Sequence, residues 1–166
     1  MGTSDFTSAI GMDLDGIRDL GPYSPRNCSK GALIEEAHRV FTALGSGQTI
    51  AEIRRDALSG SLFIQRSHQT RKLIWTAIQH RYLVNTEEWI SLLLAKESAS
   101  GAHSRSFVTL LYLMYALRDR LTFDFVTEVL WRKGAVGNPV VSRNEVLDLL
   151  DQASLVQPQI EKWSES

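Results

Sequence analysis

The sequence predicts an all-α protein, a multi-helical single domain opening with a helix-turn-helix-like three-helix unit. Apolar residues recur three and four apart along most of the chain, the period of an amphipathic helix. No stretch sustains the every-second-residue alternation of a half-buried strand. Helix-start signals also recur, a Thr, Asn or Ser followed three residues later by Glu, at Thr49 and Glu52, Asn85 and Glu88, and Ser142 and Glu145. The runs "SLFIQ" and "NPVVS" are long enough only for extended pieces or one small wing.

Residues 1–29 are rich in Gly, Ser, Pro and Asp and show no period. They read as an irregular tail that is ordered only where something packs on it. "SKGALIEEAHRVFTALG" then places Leu33, Ala37, Val40, Phe41 and Leu44 on one helical face, with Gly45 as the stop. "TIAEIRRDALSG" starts on the Thr49/Glu52 capping box and directs Ile50, Ile53 and Ala57 inward. "RSHQTRKLIWTAIQHRY" is capped by Ser67, with Leu73, Ile74, Ala77 and Ile78 as its apolar arc. "NTEEWISLLLAKE" starts at Asn85. A core helix over about 104–118 contains "FVTLLYLMYAL", an 11-residue run. A membrane span needs about 20 apolar residues, so this run reads as protein core. "TFDFVTEVLWRKG" closes with Arg132 and Lys133, which suit a helix C-terminus. "SRNEVLDLLDQA" follows Ser142, and a short last segment holds Ile160 and Trp163.

Three regions follow: a tail over 1–29, a basic helix-turn-helix-like unit over 30–84, and a helical core subdomain over 85–166. "GSGQ" is the tight glycine-containing link of the motif, whereas "SGSLFIQRS" is longer than the turn that usually precedes a recognition helix. Two helices, over 50–58 and 68–82, therefore stand as candidates to face a groove.

The composition carries few signs of an enzyme. There is no Gly-rich phosphate loop and no G-x-S-x-G elbow. His38, His68, His80 and His103 lack metal-ligand spacing, and Cys28 is the one cysteine, so a structural zinc site is not expected. Glu35 and Glu36 are adjacent, point apart on a helix, and read as solvated face. No cofactor is expected. The first residues lack a cationic start and an apolar run, so no signal peptide is read. With a lone thiol, this favours a reducing cytoplasm and no membrane association.

Charge distribution is more informative than its total of −1. Residues 53–84 hold Arg54, Arg55, Arg66, Arg71, Lys72 and Arg81 against Asp56 alone, six cations to one acid and a net of +5. Such asymmetry points to a polyanion. Four other helix starts carry acids in or near the first turn, namely Glu52, Glu87 with Glu88, Asp124, and Glu145, whereas the helix after Ser67 opens with Arg71 and Lys72. Cations on a positive helix end cost about 0.3–1 kcal/mol each when exposed, and a bound phosphate reverses that sign. On the wheel, His68, Lys72, Thr76 and Gln79 lie opposite the apolar arc, Arg71 sits at its border, and Arg81 falls inside it in the last turn. Arg81 thus has a structural reason to be cationic, while Arg66, Arg71 and Lys72 show none. The candidate nucleic-acid-binding residues are Arg54, Arg55, Arg66, His68, Arg71 and Lys72.

The order of "KGALIEEAHRVFTAL", "SLFIQRSHQTRKLIWTAIQHRYL", the apolar core helix, "RLTFDFVTEVL" and a terminal "WSES" resembles the BrxA family, over about residues 23–166. The resemblance implies a small, non-enzymatic, all-helical cytoplasmic component of bacterial BREX phage-defence systems that binds double-stranded DNA. Other BREX components stand as further candidate partners. The family's third helix usually has a basic start, matched here by Arg66, Ser67, Thr70, Arg71 and Lys72. One departure is that family members continue past the "WSES" position into another helix. Two rivals to DNA binding stand: a protein adaptor within the defence complex, and an RNA-binding protein like helical antitermination factors.

Overall fold

The structure, a computed structural model, describes residues 21–23, 31–84, 86, 88–138 and 140–163. Its elements are α1 (Ile34–Gly45), α2 (Ile50–Ser59), α3 (His68–Ile78) continued by a π turn (Gln79–Leu83), α4 (Glu88–Ser98) and α5 (Arg105–Arg118). Then follow α6 (Arg120–Asp124), a π-helical segment (Phe125–Leu130), α7 (Trp131–Ala135), α8 (Arg143–Val156) and a 3-10 helix (Pro158–Trp163). No strand occurs among the described residues, so the all-α class holds and "SLFIQ" is an irregular loop. Cys28, Asn85 and Glu87 lie outside the described residues.

The chain divides into two compact units, Lys30–Tyr115 and Met1–Ser29 with Ala116–Ser166. The first contains both the basic helices and α4, because α1 packs along α4. A boundary at residue 84 falls inside it.

Within Lys30–Tyr115, α1 buries Ala37, Val40 and Phe41 at the expected spacing. Gly45 lies against α4: a side chain there would meet the Ala95 carbonyl at 3.3 Å. His38 Nε2 lies 2.9 Å from the Ser98 carbonyl at the end of α4, and its ring meets Phe107 edge-on. The turn into α2 uses Gly47 at φ 91. Both arms of the Thr49/Glu52 box are made. Ile53 and Ala57 are buried, but Ile50, expected inward, is 40% exposed.

The start of α1 is held from a distance. Leu33 caps it in the left-handed region, φ 51, at a cost of about 1–2 kcal/mol for a residue with a Cβ. Arg81 and Tyr82, in the π turn after α3, hold the segment that enters it. The fully buried Arg81 guanidinium donates to the Gly31 carbonyl and lies 4.7 Å from the Tyr115 ring centroid. The Tyr82 hydroxyl donates to the Ala32 carbonyl at 2.6 Å. Burial raises the Tyr82 pKa well above its ordinary value, so it stays a donor. Arg81 is therefore a core residue rather than an ordinary C-terminal helix charge.

In the other unit, Asp119 caps α6 by accepting from the Leu121 and Thr122 amides. Tyr23, in the predicted tail, is packed. Its backbone N–H and C=O are both bonded by the Gln157 side-chain amide, at 2.7 and 2.9 Å. Its hydroxyl donates to Asp124 Oδ2 at 2.7 Å, and Arg120 lies over its ring at 4.4 Å. Tyr23, Ala153 and Ile160 form a small core with Leu121, Leu150 and Trp163. The Ser142/Glu145 box is complete, and Lys133 Nζ reaches both Glu145 oxygens at 2.7 and 2.9 Å, joining α7 to the start of α8.

Two predictions follow from these contacts. Arg81→Met removes the charged bond to the Gly31 carbonyl and the contact with the Tyr115 ring, and is expected to cost about 1–3 kcal/mol in urea denaturation of the full chain; an unchanged midpoint contradicts the clamp. The Lys133 ammonium and the Ser142 backbone hold the Glu145 carboxyl down to about 2, from an ordinary 4.5. Its stabilisation is therefore present above pH 4.5 and lost as pH falls toward 2. Glu145→Gln should make the acid-side loss of stability shallower over that window, and an identical acid profile contradicts it.

Candidate nucleic-acid interface

The site is built on the junction of α2 and α3. Ser67 Oγ accepts from the Thr70 amide and starts α3 where the sequence predicts. The buried side of α3 differs from the predicted arc by about one residue's step around the helix: Ile74, Trp75 and Ile78 are buried, while Leu73 is 47% exposed. An arc of Leu73, Ile74, Ala77 and Ile78 counts aliphatic residues and leaves Trp75 out. The large indole takes the inward position instead and turns Leu73 outward.

This rotation places Arg71 in line with Trp75 and Ile78, one and two turns ahead of them. Arg71 Nε donates to the Leu58 carbonyl at 2.9 Å. Its Nη1 donates to the Gln65 and Arg66 carbonyls at 2.8 and 2.7 Å. Leu58 lies in the last turn of α2, where carbonyls lack helical partners and the dipole is negative. Gly60, at φ 97, makes the approach feasible: a Cβ there would sit 3.3 Å from the Arg71 guanidinium carbon. The Gln65 side chain donates to Glu36 Oε1 at 2.6 Å, adding α1 to the assembly, and Phe63 is buried beneath the loop. Arg71 thus has the structural reason that sequence alone did not supply: it is half-buried and its guanidinium is bonded to protein carbonyls.

The other candidate residues lie outside. Arg54 and Arg55 are exposed on α2, with Arg55 Nε 3.5 Å from Asp56 Oδ1. Arg66 is exposed in the loop, His68 opens α3, and Lys72 is exposed on its first turns. Arg66 directly precedes the Ser67 cap, and His68 and Lys72 lie on the first turns of α3, while the Arg71 bonds hold the Arg66 backbone. Arg54 and Arg55 belong to the helix whose end those bonds hold. Sequence reasoning missed the exposure of Leu73, and Trp75 is the one signal that would have revealed it. Among the described residues, no group of three His, Cys, Asp or Glu is placed to hold a metal ion, and no helix is long and apolar enough to cross a membrane.

Arg71→Lys keeps the charge but cannot reproduce a fork bonded to three carbonyls. It is expected to destabilise by about 1–3 kcal/mol and to speed amide exchange across residues 60–67. Wild-type stability and protection in that variant would contradict the clamp.

A comparison with curated proteins and one with solved structures return no match. The family model described as BrxA matches residues 21–166. The all-helical chain with its basic α2–α3 junction therefore belongs to the BrxA family, and so is a protein of BREX phage defence.

Proposed function

We propose that this protein is a non-enzymatic, cytoplasmic accessory protein of its defence system that binds double-stranded DNA, mainly through the phosphate backbone. The observation that carries this is the set of exposed cations around an acid-free helix start: Arg54, Arg55, Arg66 and Lys72, with His68 beside them. No acid occurs anywhere in residues 57–84. Arg71 supports the reading indirectly, by fixing the loop that carries Arg66. Phosphate contacts of this kind supply affinity with little sequence information.

A second reading, docking on another component of the same system, has its own support on α4. There Trp89 and Leu92, one turn apart, are 53% and 60% exposed. Capture of such a component in the presence of nuclease favours it.

Salt titration of duplex binding tests the first reading. Four phosphate contacts give a slope of about −3.6 in log K against log salt, or about a hundredfold loss between 50 and 200 mM. Arg66→Glu with Lys72→Glu should weaken binding and flatten the slope by about 2. Equal affinity and slope in the variant would sink the site. Preference for structured RNA over duplex in competition would sink the choice of nucleic acid.

A further inference from the structure

We infer that the outward face of α3, made of Gln69, Lys72, Leu73 and Thr76, reads base edges in the major groove of the duplex. This rests on the proposed duplex binding and adds which helix enters the groove and which side chains meet bases.

Tertiary contacts fix the direction of the face. Ile74, Trp75 and Ile78 are buried, and Arg71 is bonded to three carbonyls on the same side. The opposite side therefore presents Gln69, Lys72, Leu73 and Thr76, all exposed, at i, i+3, i+4 and i+7. A helix rises about 1.5 Å per residue, so this row covers about 10 Å, or about three base pairs. The major groove, about 12 Å wide, accepts a helix.

The chemistry of the row matches base edges. The Gln69 amide both donates and accepts, the pairing that adenine offers at N6 and N7. Thr76 Oγ1 bonds back to the Lys72 carbonyl at 2.9 Å, which leaves its methyl as the outward group. Leu73 is an exposed aliphatic side chain among polar ones, and it suits the thymine methyl. Lys72 supplies a donor for guanine or for the adjacent phosphate. No acid occurs in α3, so the whole helix is compatible with the negative potential of the groove.

The neighbouring helix fails the same comparison. The exposed residues of α2 include Glu52, whose carboxylate is tied into the Thr49 cap, and Arg55, which is paired with Asp56. Asp56 itself is half-buried, Ala51 and Ser59 are the exposed small residues beside Arg55, and Arg54 is a further exposed cation. This helix offers cations to phosphates and two carboxylates that would be repelled inside a groove. α2 is thus suited to the backbone and α3 to the bases.

Selection of bound duplexes from a random pool, with the full chain, tests this. The wild type should enrich a motif of about three base pairs per chain. Gln69→Ala with Leu73→Ala should lower that enrichment about tenfold or more while leaving the salt slope within about one unit. Both positions are exposed, so an unchanged thermal midpoint is expected and checks the fold. Ala51→Gln, on α2, should leave the motif as in wild type. Salt-dependent duplex binding with no enriched motif overturns the inference and leaves the proposed function standing. A motif that survives Gln69→Ala/Leu73→Ala, or one altered by Ala51→Gln, does the same. Absence of salt-dependent duplex binding by the wild type overturns both.

Discussion

Three carbonyl oxygens, of Leu58, Gln65 and Arg66, converge on the Arg71 guanidinium, and the arrangement of the basic helices depends on it. The loop over residues 60–66 has no secondary structure to hold its own carbonyls, and a charge-assisted bond to each stabilises by about 1.5–3 kcal/mol at most. One planar fork serves two of them and the end of α2 together. In doing so it holds α3 in the rotation that buries Trp75. That rotation decides which side chains of α3 face the core and which face a partner.

The charge pattern at the start of α3 resolves into two separate cases. Arg71 opposes the dipole of its own helix, but its charge is delivered to the C-terminal carbonyls of α2, where a cation is favourable. The mismatch is therefore local to α3 and absent from the helix pair. Among the described residues, the side chains of Lys72 and the exposed Arg66 have no comparable partner. They carry the polyanion argument, and they carry it with fewer members than a count of cations implies.

The same device recurs elsewhere. Arg81 bonds the Gly31 carbonyl and covers the Tyr115 ring, and Arg120 bonds the Gly21 carbonyl while covering the Tyr23 ring. In each place an irregular segment is fastened by a guanidinium bonded to its carbonyl, and at Arg81 and Arg120 the guanidinium also covers a ring. Arginine suits this because its fork is rigid, always charged and weakly hydrated for an ion. A protein rich in helices has few strands to tie its connections down. Here long side chains do that work, so part of the local clustering of arginines is a packing device.

What the sequence determined by itself is local. The capping boxes at Thr49/Glu52 and Ser142/Glu145, the Ser67 cap and the inward Ala37, Val40 and Phe41 are all found where their spacing puts them, since each depends on residues within a turn or two. The basic character of residues 53–84 is likewise legible in order alone. Tertiary structure decided the rest. Trp75 displaced Leu73 from the buried side of α3, because the volume of an indole outweighs the regularity of an aliphatic pattern. Arg71 became internal because of carbonyls 5, 6 and 13 residues earlier, and Tyr23 was ordered by Gln157, 134 residues later. Partners that distant leave no periodic trace in the sequence, and they separate the cations that build the fold from those left facing solvent.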